Sequence, residues 1–165
     1  MRLLFRIPAV ALLAAAIVFL FALEPGLARA GEGLALSAGQ TIYLPVYSHI
    51  YYGDKGRKIN LAVTLSLRNT DPENPVTLLS ADYFDPNGKI VKKFIDQPLA
   101  LGPLSSTRFL VAESDPAGGS GAGLVVTWKS QAPVNPLLAQ SVMIGAEANQ
   151  GISFVCDGRV LKETP

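Results

Sequence analysis

The sequence predicts an all-β protein, a single antiparallel β-sandwich of immunoglobulin-like type, following an N-terminal signal peptide. Three observations carry this. Apolar and polar residues alternate with a period of two over several short runs, the mark of strands with one face in a core. Turn signals rich in Gly, Pro, Asn and Asp separate those runs at short spacing. The first thirty residues have the three-part layout of an export leader: a basic start at Arg2 and Arg6, the apolar run Ile7 to Leu23, and the small-residue site Ala28-Arg29-Ala30.

The leader sets the domain boundaries. Cleavage after Ala30 makes 1–30 the signal peptide and leaves roughly 135 residues, 31–165, for one domain with its core over about 41–160. Retention of Ile7–Leu23 as an anchor is the alternative, although the run is short and carries Pro8. The expected compartment is therefore periplasmic or secreted. No cysteine follows the apolar run to take a lipid, and no second stretch approaches the length of a membrane span, so the mature chain is expected to be soluble with no membrane span. The positive mean hydropathy belongs in part to the leader.

The elements follow in order. Thr41–Tyr47 is the first expected strand, with Ile42, Leu44 and Val46 on one face and Pro45 marking it as an edge. Ile59 to Arg68 alternates throughout and stops at Asn69-Thr70-Asp71-Pro72, where Asp favours a turn and Pro cannot donate to a ladder. Val76–Phe84 leads into Asp85-Pro86-Asn87-Gly88, a hairpin signal in which Asn and Gly tolerate positive φ. Ile90–Ile95 carries Lys92 and Lys93, as an exposed or edge strand does. Gly102-Pro103 breaks the chain before Thr107–Glu113.

Asp115–Gly123 is a glycine-rich loop, and Leu124–Lys129 is a strand with Leu124, Val126 and Trp128 on a core face. Ala132–Pro136 connects to a strand supported by Leu138, Val142 and Ile144. Pro136–Ala148 is the best helix candidate, weakened by its Ser-Val-Met-Ile-Gly centre. Gly151–Val155 is the last clear strand, with an extension to Arg159–Leu161. Cys156 continues the parity of Ile152 and Phe154 and is expected to face the core as an inert thiol.

Charge excludes one function class. Taking Arg2, Arg6, Arg29 and Glu24 away with the leader leaves 11 basic against 12 acidic residues. A nucleic-acid partner calls for a basic excess or stripe, so none is expected. One Cys allows no disulfide within the chain. One His, one Cys and two Met give no dedicated soft-metal site, and no cofactor is expected. A calcium site could be assembled from Asp82, Asp85 and Asn87, but the spacing reads more simply as a turn.

The chemically dense segment is Tyr43 to Arg57. It holds Tyr43, Tyr47, His49, Tyr51, Tyr52, Asp54 and Arg57, including four of the five tyrosines and the only histidine. Tyrosine pairs a flat apolar face with a polar tip and suits contacts to protein or sugar. His49 adds a charge that switches near neutral pH. The expected contact surface is Tyr47, His49, Tyr51 and Tyr52, with Asp115–Gly123 as a possible neighbour. The plainer alternative is that the tyrosines fill a sheet edge and His49 caps a turn.

No serine stands in a nucleophile elbow, and no catalytic residue is assigned. The run Gly118-Gly119-Ser120-Gly121-Ala122-Gly123 precedes Leu-Val-Val-Thr-Trp, a strand composition. It therefore lacks the following helix that a phosphate cradle requires.

Several blocks together resemble a known family. They are Ile42–Asp54, Leu65–Asp71, Asp82-Tyr83-Phe84-Asp85, Gly118–Ala122, Pro133-Val134-Asn135-Pro136, Met143-Ile144-Gly145 and Gly151-Ile152-Ser153-Phe154. Their order over about 41–160 is similar to the exported bacterial domain-of-unknown-function family three-one-two-four. The resemblance implies one exported domain and supplies no activity. The expected function is thus a non-enzymatic binding or interaction module of the bacterial envelope, meeting a protein or an envelope glycan. An envelope hydrolase or metal-dependent enzyme using His49 is the alternative, as is a structural subunit of an envelope assembly.

Overall fold

The computed structural model describes residues 35–147 and 150–163. The leader and its cleavage site lie outside these residues. All the long elements are strands: β1 (Ser37–Val46), β2 (His49–Tyr52), β3 (Arg57–Asn60), β4 (Ala62–Arg68), β5 (Val76–Phe84), β6 (Ile90–Lys93), β7 (Leu99–Leu101), β8 (Ser106–Val111), β9 (Ala122–Val134), β10 (Leu138–Glu147), β11 (Gln150–Asp157) and β12 (Arg159–Glu163). One 3-10 turn spans Gly119–Gly121. Among the described residues every strand pairing is antiparallel.

The strands form three sheets. A six-stranded sheet runs β12-β1-β9-β5-β6, with β7 also paired to β5. A four-stranded sheet runs β11-β10-β4-β8, and β2 and β3 form a hairpin of their own. Period-two alternation directs Ile42, Leu44 and Val46 of β1, Leu124, Val126 and Trp128 of β9, and Val63, Leu65 and Leu67 of β4 into one apolar cluster. That cluster draws on both larger sheets. Among the described residues no helix is long and apolar enough to cross a membrane.

Several expectations are corrected. Pro136–Ala148 contributes strand β10, not a helix; Val142, Met143 and Ile144 are stiff or strand-favouring and pair β10 with both β4 and β11. β1 is not an edge: it lies between β12 and β9, and Pro45 is tolerated because the β12 pairing covers Gln40 to Tyr43 and stops short of it. The alternating run at 59–68 breaks at Leu61, so β3 pairs with β2 while β4 joins the four-stranded sheet. Arg159–Leu161 does not prolong β11. Gly158 turns the chain, its N–H donating to the Ala139 carbonyl at 2.8 Å, and β12 crosses to the other sheet.

Two faces also differ. β10 sends Ala139, Ser141 and Met143 inward and leaves Leu138 and Ile144 exposed. On β11, Phe154 and Cys156 are half-buried against the core and Ile152 is exposed, because β11 ends its sheet and has cover on one side only.

Candidate functional site

Ser48 is the pivot from which the dense aromatic segment leaves β1. Its N–H donates to the Gly119 carbonyl at 2.9 Å, and its carbonyl accepts from the Leu61 N–H at 2.9 Å. Its hydroxyl shares a hydrogen bond of 3.1 Å with the Tyr83 hydroxyl, where burial holds the phenol above its usual pKa. The three contacts tie the end of β1 to the 3-10 turn, the start of β4 and β5. The β2–β3 hairpin leaves this base with Ile50 and Ile59 packed against the core.

The glycine-rich loop is built for that junction. A Cβ on Gly118 would collide with the Tyr83 hydroxyl and ring, and one on Gly123 would collide with the ring of Tyr43. These glycines are close-approach positions, and the loop meets the residue before β2 through the Gly119 carbonyl.

Within the hairpin His49 faces Asn60, Ile50 faces Ile59, Tyr51 faces Lys58 and Tyr52 faces Arg57. The turn is closed by the Gly56 N–H donating to the Gly53 carbonyl at 3.0 Å, with both glycines at positive φ. Tyr51 is 56% exposed. Lys58 Nζ lies 5.6 Å from the centre of its ring, and the Arg57 guanidinium lies 4.6 Å from that of Tyr52, which is half-buried. Each ring thus carries a cation from the opposite strand at cation–π distance. Gly53, Asp54, Lys55 and Arg57 line a shallow concavity at the tip.

The other two expected contact residues point elsewhere. Tyr47 is half-buried and meets Phe154 edge-on, with ring centres 6.0 Å apart. His49 is 8% exposed and meets Tyr51 edge-on at 5.1 Å. Burial first, and the nearby Lys58 charge second, lower its pKa from 6.5, so the neutral ring is favoured. Its Nε2 is buried without a hydrogen-bond partner. The structure therefore pairs Tyr51 with Lys58 on one face of the hairpin and Tyr52 with Arg57 on the other, keeps His49 buried beside Tyr51, and turns Tyr47 to Phe154.

Among the described residues no group of three or more His, Cys, Asp or Glu side chains is placed to hold a metal ion. The Asp85 carboxylate accepts from the Asn87 and Lys89 N–H groups, both at 2.9 Å, which makes the Asp85–Gly88 segment an Asx turn. Trp128 is fully buried in the core.

One constellation escaped the sequence reading. Asn69 Nδ2 donates to the carbonyls of Asn74, Leu101 and Gly102 at 2.8–3.3 Å. The Asp71 carboxylate accepts from the N–H groups of Glu73, Asn74 and Asn135, and these bonds hold it below the usual carboxylate range. Thr70 Oγ1 donates to the Pro136 carbonyl at 2.9 Å. The signal available in the sequence was only Asn-Thr-Asp-Pro as a strand terminator. Its partners Glu73 and Asn74 are local, but Leu101, Gly102, Asn135 and Pro136 lie 32 to 66 residues away, beyond any local pattern.

The class defined so far is an all-β domain of antiparallel sheets carrying a separate aromatic–cationic hairpin. The chain belongs to the family described as "Protein of unknown function (DUF3124)", whose model matches residues 39–161. No curated protein matches it. It is similar to the solved structure described as "Crystal Structure of Thermotoga maritima 1070". The identity is 10%, the match covers 76% of this chain and 97% of that one, and the TM-score is 0.46.

Proposed function

We propose that this protein is an exported, non-enzymatic interaction module of the bacterial envelope, periplasmic or secreted. In this reading it is an immunoglobulin-like β-sandwich that meets its partner, a protein or an envelope glycan, through the β2–β3 hairpin. The observation that carries this reading is the hairpin itself. It is a two-stranded sheet outside both larger ones, and it holds Tyr51 outward with Lys58 over its ring and Arg57 over Tyr52. A free hairpin is marginal in water, and this one is anchored at Ser48. The leader pattern of residues 1–30 supports export.

The cations refine the partner's chemistry. One face of each tyrosine is occupied by Lys58 or Arg57, and Lys55 stands at the tip against Asp54 alone. A hairpin with a cation on each face favours carboxylate-bearing groups over neutral sugar faces. The hydrolase reading through His49 draws no support from an imidazole that is buried with no partner at Nε2.

Photocrosslinking from position 51, followed by capture with Tyr51→Ala and Arg57→Ala, tests the proposal. Both substitutions are expected to weaken partner capture at least about tenfold while changing stability by no more than about 0.5–1 kcal/mol, because Tyr51 and Arg57 are exposed. Capture unchanged in both variants sinks it.

One observation favours the structural-subunit reading as a second possibility. The outer face of the four-stranded sheet exposes Leu110, Ile144 and Val155, an apolar set that a lone soluble domain has no need to display.

A further inference from the structure

Among the described residues the sequence guards every edge of the two larger sheets except one. β12 carries Arg159, Lys162 and Glu163, β6 carries Lys92 and Lys93, and β8 carries Arg108 at its middle. β7 is only three residues long and lies between Pro98 and Pro103. Charge, brevity and proline are the ordinary means of keeping an edge from pairing with a second chain. β11 has none of them. It runs eight residues without proline, it is uncharged until Asp157 closes it, and its register with β10 is regular throughout, with no bulge to twist the edge away. Among the described residues it pairs with β10 alone.

The face beside this edge is apolar. Val155 is 55% exposed and stands opposite Val142; Thr64 lies next, and then Leu110, 62% exposed. Ile144, 55% exposed, lies opposite Ser153. The apolar row therefore begins at the unguarded edge and crosses the sheet.

We propose that β11 is a homotypic docking edge, where a second copy of this chain adds its own β11 antiparallel, so that two four-stranded sheets become one. The complement of a row of unpaired N–H and C=O groups is the edge of another strand. An antiparallel pair about a two-fold axis lets one strand serve as its own partner. Such an axis keeps the two outer faces on one side and pairs residues of the same parity. Centred on Phe154, it sets Val155 opposite Ser153 of the second copy and Asp157 opposite Gly151. The one carboxylate then meets no like charge. Gly151 leaves open space where a Cβ would stand, and the two apolar rows become continuous.

The test is sedimentation across a concentration series, using protein isolated from cells that express the whole chain. A dimer with concentration-dependent mass is expected. Ser153→Lys and Val155→Lys place a guard on the edge through exposed side chains, and each should raise the dissociation constant at least tenfold. Leu110→Lys, on the same face but at the far strand, should leave it within about threefold. Tyr51→Ala should not alter it either, which separates this proposal from the hairpin reading. Hydrogen exchange on the unsubstituted protein supplies a measurement free of folding artefacts, because β11 amides should slow as concentration rises. A monomer at every concentration overturns the proposal. So does β11 exchange that ignores concentration, or a dimer broken by Leu110→Lys and untouched by the edge variants.

Discussion

His49 is the one imidazole in the chain, and its position makes stability depend on pH in a definite window. Burial and the Lys58 charge depress its folded pKa below 6.5. A group with a depressed folded pKa contributes stability that is complete above the unfolded value and is lost as pH falls through the folded one. Denaturant unfolding should therefore show stability falling once pH drops below 6.5, and His49→Phe should flatten that slope. A slope that persists in the variant assigns it to another group. Leu104 offers a second test at this scale. It is exposed and sits at φ +53°, a left-handed conformation that costs a side chain with a Cβ about 1–2 kcal/mol and that Asn tolerates better. Leu104→Asn should raise stability by about 0.5–1 kcal/mol in the same measurement.

The connections hold as much of the fold as the strands do. Asn69, Thr70 and Asp71 bind loops that follow β5's approach, β7 and β9, so one short segment fixes three crossings. Asn69 is buried, and its loss would leave the Leu101 and Gly102 carbonyls without that donor. Asn69→Ala should cost about 2–4 kcal/mol, read from the denaturation midpoint. Asp71, with its folded pKa depressed, adds an acid limb that begins below 3.8, well separated from that of His49. Asp71→Asn should blunt that limb while leaving the slope near neutral pH unchanged.

Only the local turn at Asp71 was legible in the sequence, and the longer bonds of this network were not, for a physical reason. Alternation names a strand and its two faces, as it did for the β4 part of the 59–68 run, Val76–Phe84 and Leu124–Lys129, but pairing partners and loop contacts are non-local. Leu138 and Ile144 have the parity of a core face and yet point outward, because the inward side of β10 is set by Met143 and Ser141, whose hydroxyl donates to the Pro45 carbonyl at 2.6 Å. The site was legible as a cluster of aromatic residues. That His49 and Tyr51 share a parity but differ in burial was not legible, because it depends on where the hairpin leaves the Ser48 junction.

At the scale of the whole molecule, the order of strands in space departs widely from their order in the chain. β1, which opens the described domain, is enclosed by β9 on one side and by β12, its last strand, on the other. The closure is reinforced by side chains: Glu163 accepts from Ser37 Oγ and from Gln40 Nε2, and Gln40 is buried. A sheet whose inner strand waits for β12 cannot finish until β12 has been made. Such long-range pairing folds slowly, over milliseconds to seconds. Deleting Arg159–Pro165 should therefore do two things. It removes the four-pair ladder and the Glu163 contacts, a loss of roughly 3–5 kcal/mol at about 1 kcal/mol per hydrogen bond. It also turns β1 into an edge with Thr41, Ile42 and Tyr43 unguarded, so the truncated protein should aggregate on refolding where the intact chain does not. Light scattering during refolding, set beside equilibrium unfolding, distinguishes the two effects. A truncated chain as stable and as soluble as the whole would show that β12 is an ornament on the sheet and that β1 is held by β9 alone.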